Sequence, residues 1–226
     1  MAIHNGQEFL EEQLRSILIQ LNPADELVIS DDHSTDQSRF IIQQFNDPRI
    51  KLLDPVHFND PIKNFEFVLQ HCSHDYLFLA DQDDVWYPQK INTLLKELSQ
   101  CDLIVCDCRI TDRHLNQIHP SIFQHHRAKQ GLVQNWVKSS FVGCCMAFHR
   151  KVLNKAIPFP SGIPMHDQWI GLVAEKYFTV KFLPQVLLDH RVHDRNYSST
   201  GKGSKNTLRK MISARINLAR KLLLVP

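Results

Sequence analysis

The sequence predicts an α/β fold, a mostly parallel sheet flanked by helices, and three observations carry that expectation. Short apolar or β-branched runs alternate with stretches whose apolar residues recur at helical spacing. Two of these runs end abruptly in aspartates, at Asp31-Asp32 and at Asp81-Gln82-Asp83-Asp84. The 226 residues are 43% hydrophobic, enough for one large core.

From the N-terminus, Leu10, Leu14, Ile17, Leu18 and Leu21 form the apolar side of a helix over residues 7–21, stopped by Asn22-Pro23. Residues 26–30 read as a strand, after which Ser34 or Thr35 is placed to cap a helix through about Phe45. Residues 75–80 form a second strand, and Pro88 opens a helix with Ile91, Leu94, Leu95 and Leu98 on one face. Leu103-Ile104-Val105-Cys106 is the third strand. Beyond Thr111 the pattern loosens through a His- and Gln-rich stretch, then residues 140–148 read as a buried strand. Pro158, Pro160 and Pro164 make an extended loop before a helix running from Met165-His166-Asp167-Gln168-Trp169 to about Lys176. In such sheets ligands bind beyond the carboxyl ends of the strands, where both acidic clusters fall.

A formal net charge of +2 gives no polyanion signal, so nucleic acid is not an expected partner. The six cysteines (Cys72, Cys101, Cys106, Cys108, Cys144, Cys145) lack zinc-like spacing and read as buried thiols. With no charged-then-apolar leader, the reducing cytoplasm is the expected location. No apolar run approaches the roughly 20 residues of a membrane-spanning helix.

Residues 1–201 are expected as one domain and residues 202–226 as a tail. Gly201, Lys202, Gly203 and Ser204 suggest a link to a helix whose apolar side holds Leu208, Met211, Ile212, Ala219, Leu222 and Leu223. Lys205, Arg209, Lys210, Arg215, Arg220 and Lys221 decorate the rest. Such a helix lies on an anionic membrane surface or docks on protein, and periodicity alone leaves both open.

Asp81, Asp83 and Asp84 pack three carboxylates into four residues, where mutual repulsion is costly without a cation. Hard oxygen ligands of this kind suit Mg2+ or Mn2+, which complete their shell with substrate phosphates, so a nucleotide diphosphate is the implied ligand. A solvated turn capping the next helix is the alternative.

Ile29-Ser30-Asp31-Asp32-His33-Ser34-Thr35-Asp36, followed about fifty positions later by Phe78-Leu79-Ala80-Asp81-Gln82-Asp83-Asp84-Val85-Trp86, resembles the family-2 glycosyltransferases of GT-A fold. Met165-His166-Asp167-Gln168-Trp169 resembles that family's acceptor-side motif. Arg191-Val192-His193-Asp194-Arg195-Asn196 resembles the Arg-Gln-His-Gly-Asn-Asn stretch of its polysaccharide-assembling bacterial members, including rhamnosyl- and galactosyltransferases.

The resemblance implies a UDP- or dTDP-sugar donor and a glycan or lipid-linked glycan acceptor in bacterial surface polysaccharide synthesis, and a peripheral position on the inner face of the membrane is the matching expectation. Asp31 and Asp32 would accept hydrogen bonds from the base or ribose, with Lys63 and Asn64 near the nucleotide. Asp81 would face the ribose or metal, Asp83 would bind the metal with Asp84 beside it, and His193 would complete the shell or hold the diphosphate. Asp167 would be the base of a single, inverting displacement. The chain departs from the family in starting inside its first buried strand, which is expected to be cut short, and in lacking a glycine at His57-Phe58-Asn59-Asp60-Pro61. A metal-dependent nucleotidyl- or phosphoryltransferase and a non-catalytic scaffold subunit are the competing readings.

Overall fold

A computed structural model describes residues 1–194 and 208–225, with backbone alone at 208–212. Arg195, Asn196 and the Gly201–Lys205 link named above lie outside the described residues, as do the side chains of Leu208, Arg209, Lys210, Met211 and Ile212.

The first layer is parallel, as the alternating pattern predicts. Ala2–Ile3 (β1) lies beside Leu27–Asp31 (β2), with Ala2 opposite Ser30 and Ile3 opposite Asp31. The short β1 is extended by the Met1 ammonium, which donates to the Val28 carbonyl at 2.8 Å. The helix between them, Leu10–Leu18 (α1), is shorter than its apolar pattern because the Gly6 carbonyl takes the Phe9 and Leu10 amides in an entry turn. It buries Leu10, Leu14, Ile17 and Leu18, each worth about 1.5–3 kcal/mol of transfer free energy.

Ser38–Gln44 (α2) begins later than Ser34 or Thr35, because Asp36 accepts the Ser38 amide and hydroxyl while Ser34 Oγ turns back to Asp31. Ile50–Leu52 (β3) completes the parallel sheet in the order β1-β2-β3. Pro61–Gln70 (α3) starts under Asp60, whose side chain accepts the Ile62 amide at 2.9 Å, with Pro61 in the first turn where its missing N–H costs nothing.

The second sheet is mixed. Tyr76–Phe78 (β4) and Val85–Trp86 (β5) flank the Asp81 to Asp84 loop, and Lys90–Leu98 (α4) leads to the long Leu103–Thr111 (β6). Gln117–His119 (β7), Ile122–His126 (α5) and Leu132–Val137 (α6) fill the His- and Gln-rich stretch. The strand expected over 140–148 begins at Met146–His149 (β8), because Gly143–Cys145 close into a 3-10 turn first. Arg150–Ala156 (α7), His166–Tyr177 (α8), Val180–Arg191 (β9) and Leu208–Leu223 (α9) follow.

The strand order is β4-β8-β6-β9-β5, with β7 beside β6. β6 runs parallel to β9, while β8 is antiparallel to both β4 and β6. β9 is hidden in the sequence by Pro184. Its pairing with β6 jumps from Leu183 to Val186, so Pro184 and Gln185 occupy a bulge where no ladder bond is lost.

Five cysteines are buried and Cys72 is half-buried, all as free thiols. α9 docks on its own domain. Leu218 and Leu222 are buried, the Trp136 indole donates to the Arg215 carbonyl at 2.9 Å, and Lys176 Nζ donates to the Leu222 carbonyl at 2.7 Å. No helix among the described residues is long and apolar enough to cross a membrane.

Where α8 passes under Phe141, a Cβ on Gly171 would sit 2.3 Å from the ring. Gly171→Ala is therefore expected to overpack this contact, costing about 1–3 kcal/mol. In thermal unfolding the midpoint falls by roughly 2–4 °C per kcal/mol for a chain of this size, and Phe141→Leu in the same chain restores part of the loss.

Candidate active site

A cavity of about 480 Å³ opens beyond the ends of β1, β2 and β4, and Asp32, Asn64, Asp81, Asp83, Asp167 and His190 are among its lining. A neighbouring cavity of about 450 Å³ shares His4 and Gln82 with it and adds His193. Residues from distant parts of the chain thus converge at the strand ends.

The Asp81 to Asp84 loop is held to the first strand by Gln82. Its amide accepts the His4 N–H at 2.8 Å and donates to the His4 carbonyl at 3.1 Å, standing in for a missing strand pair. Gly6 leaves room for this side chain, since a Cβ there would lie 2.6 Å from Gln82 Oε1. Asp83 is buried with its Oδ2 at 2.9 Å from His193 Nε2, and the His193 ring packs on Phe9 with centroids 4.8 Å apart.

Asp84 is fully buried. Its Oδ1 accepts the Arg191 amide at 3.2 Å and lies 2.9 Å from His190 Nδ1. Although burial raises its carboxyl, the His190 charge and hydrogen bond outweigh that and hold it below the ordinary value. His190 in turn is lifted well above the ordinary imidazole range by Asp84, against its own burial. At Asp81 the His190 charge is outweighed, and burial with the neighbouring Asp84 and Asp83 charges pushes its carboxyl up to about 8. Asp81 and Asp83 line the cavity side by side, and these oxygen donors suit a hard divalent cation.

Across the cavity, Asp167 stands in the first turn of α8. Its Oδ2 accepts the Gly143 amide at 3.1 Å and its Oδ1 the Gln168 amide at 2.6 Å. Burial nevertheless pushes its carboxyl up to about 6. His166 stacks on Phe65 with ring centroids 3.8 Å apart, and burial lowers it to about 3, so it is neutral near pH 7. Trp169 is core, with its indole bonded to the Ala156 carbonyl.

On the donor side the geometry refines the expectations. Asp32 lines the cavity, but its carboxylate already accepts the Phe58, Asn59 and Asp60 amides at 2.6, 3.1 and 3.2 Å, which shapes the loop lacking a glycine. Asn59 supplies the left-handed turn there, at φ 49°. Asp31 does not reach the cavity. It is fully buried, takes the Ser34 amide and hydroxyl, and faces Arg39 at 3.4 Å. Lys63 is exposed and outside the cavity lining, a solvated lysine on the outer side of α3. Asn64 is buried between strands, accepting the Ser30 hydroxyl at 2.5 Å and donating weakly to Ile3, and it borders the cavity.

Sequence reasoning missed Gln82, Gly143 and His190. Gln82 was hidden among the acids of its own motif, Gly143 acts through its backbone, and His190 belonged to an unrecognised strand. The signal for His190 was its odd spacing from His193, which puts the two on opposite sides of the β9 exit.

Two relatives share part of this sequence. The chain is 36% identical over 102 residues to the dTDP-rhamnosyl transferase RfbG of Shigella flexneri, a match covering 42% of this chain and 35% of that protein. It is 30% identical over 91 residues to the UDP-Glc:alpha-D-GlcNAc-diphosphoundecaprenol beta-1,3-glucosyltransferase WfgD of Escherichia coli, covering 40% of this chain and 36% of that one. The chain thus spans about a third of the length of each.

Among solved structures, S. aureus TarS 1–349 in complex with UDP-GlcNAc superposes with a TM-score of 0.74 at 16% identity, over 96% of this chain and 64% of that one. The mannosyltransferase PcManGT from Pyrobaculum calidifontis in complex with GDP-Man and Mn2+ superposes with a TM-score of 0.69 at 18% identity, over 99% and 68%. These likenesses establish a GT-A fold. Residues 1–157, from β1 through the Asp81 to Asp84 loop to α7, match Glycosyl transferase family 2, and the chain belongs to that family.

Proposed function

We propose that this protein is an inverting glycosyltransferase that moves a sugar from a UDP- or dTDP-sugar to a hydroxyl of a glycan or lipid-linked glycan in bacterial surface polysaccharide synthesis. The observation that carries the reading is the placement of Asp167, anchored by the Gly143 amide, in the same cavity as Asp81 and Asp83. The rhamnosyl and diphosphoundecaprenol-linked activities named for the two relatives support the donor and acceptor classes.

Asp83 with Asp81 and His193, backed by Asp84, would hold Mg2+ or Mn2+, which when bound supplies charge stabilisation to the departing diphosphate. Asp32, through the loop it shapes, and Asn64, through the strands it joins, form the floor under the nucleoside. Asp167 accepts the proton of the acceptor hydroxyl as the new glycosidic bond forms, with its second oxygen held by the Gly143 amide. The hydroxyl grows acidic as it attacks, so a carboxylate with a pKa near 6 is a competent base late in the step. Displacement from the far side of the anomeric carbon inverts its configuration and needs no covalent intermediate.

α9 adds a surface. Ile216, Leu223 and Leu224 are 45%, 75% and 81% exposed beside the basic Arg220. In this reading they rest on the anionic inner face of the membrane, close to a lipid-linked acceptor.

Thermal unfolding with UDP, dTDP, GDP and CDP, each with Mn2+ and again with chelator, is expected to show a metal-dependent rise for one uridine or thymidine nucleotide. At about 100 times the dissociation constant the gain is roughly 2.7 kcal/mol, and no rise with any nucleotide would refute the donor site.

Asp167→Asn is expected to lower transfer by about 10²–10⁴-fold while keeping that nucleotide response. In the wild type the rate falls as pH drops below about 6, where Asp167 is protonated, and the variant loses this acid limb. The folded carboxyl binds its proton more tightly than an unfolded one, so this group's contribution to stability also declines as pH rises from 3.8 through about 6.

Leu223→Glu with Leu224→Glu, at exposed positions, and deletion of residues 203–226 should each weaken binding to anionic liposomes while sparing nucleotide binding. Unchanged liposome binding in both would end the membrane role.

A further inference from the structure

Cys144 and His190, which sugar transfer as described does not use, meet Asp84 where the Gly143–Cys145 turn abuts the end of β9. A ligating atom from each of the three lies within 4.8 Å of the others. His190 Nδ1 is 2.9 Å from Asp84 Oδ1 and 3.6 Å from Cys144 Sγ. A tetrahedral zinc with bonds of about 2.0–2.3 Å sets its ligands roughly 3.3–3.7 Å apart, so small shifts of these side chains would admit the ion. All three residues are at least nine-tenths buried. Asp84 Oδ2 is buried and receives no hydrogen bond among the described residues, which leaves a carboxylate oxygen with an unfilled need inside the cluster. His190 borders the donor cavity, and this supplies a route of entry.

The donor set differs in kind from its neighbour. Asp81 and Asp83 offer hard oxygens, whereas a thiolate, an imidazole and one carboxylate oxygen favour a softer, borderline ion. We propose that Asp84, Cys144 and His190 form a second cation site, for Zn2+ or an ion of similar softness, separate from the oxygen-rich Asp81 and Asp83 pair. On binding, the Cys144 Sγ–H and His190 Nδ1–H protons leave to solvent, the carboxylate binds as it stands, and a fourth position is left for water. The inference goes beyond sugar transfer and does not depend on it.

The test is spectroscopic. The full chain, reduced and stripped by chelator, is titrated with Co2+ and then Zn2+. A near-ultraviolet thiolate-to-cobalt absorption with the visible bands of a four-coordinate ion is expected, displaced by Zn2+ and untouched by excess Mg2+. Cys144→Ser should abolish the near-ultraviolet band and weaken zinc binding by at least the roughly 10–100-fold that loss of a supporting group costs. Asp83→Asn should leave the band in place, even where nucleotide-dependent stabilisation is lost, so the two sites fail separately.

Thermal unfolding checks that each variant folds, and His190→Gln provides the same readout should Cys144→Ser not fold. Absence of the band in the wild type overturns the proposal. So does its survival in Cys144→Ser, which would assign the thiolate to Cys106, Cys108 or Cys145, or its loss in Asp83→Asn.

Discussion

Crowded negative charge governs this structure. Asp81, Asp83, Asp84 and Asp167 come from two segments that fold onto one cavity, and each is handled differently. Asp84 is matched by His190 and an amide, Asp167 by two amides, and Asp83 meets His193. Asp81 is left with a raised affinity for protons, the mark of a place where positive charge belongs. The backbone around the site follows from these demands. The Gly143–Cys145 turn delays the start of β8 and thereby aims an amide at Asp167, and β9 must run its full length to deliver both His190 and the Arg191 amide to Asp84. A straighter strand or a shorter one would leave a buried carboxylate without its partner.

The donor side obeys a complementary rule, in which polar side chains build the floor and leave it few polar atoms unspent. Asp32 gathers three successive amides of the 58–60 loop, Asn64 ties α3 to β1 and β2, and Gln82 pairs with both backbone groups of His4. These bonds replace regular strand pairing at the end of a two-residue strand. Preorganisation of this kind lowers the entropy lost when a ligand is bound.

Much of this was legible in the sequence. The helical stripes of α1 and α4, the apolar β2 and β6, and the start of α8 at His166 follow from periodicity and from turn chemistry, and the acidic clusters fall at the strand ends where they were expected. The readings that changed did so for local reasons. Helix α2 begins at Ser38 because Asp36 outcompetes Ser34, which is spent on Asp31. Strand β9 escaped notice because a proline lies within a bulge, and Asp31 closes the turn at Ser34 because an aspartate can cap a turn as readily as it can face a ligand. The spacing of His190 from His193 does not reveal its partner, since its meaning depends on Asp84, more than a hundred residues away in the chain. Periodicity reports which face is buried, and long-range partners must be supplied by the fold.

Helix α8 joins two matters that are usually treated apart. Its first turn holds Asp167, while Lys176 near its far end grips the Leu222 carbonyl of α9 and Tyr177 bonds the Val225 carbonyl. Twelve residues make a rod about 18 Å long, stiff because its amides are bonded along its length. A load placed on α9 therefore bears, through a stiff strut, on the turn that holds Asp167, the proposed base. In the proposed reading, anchorage and chemistry share one beam.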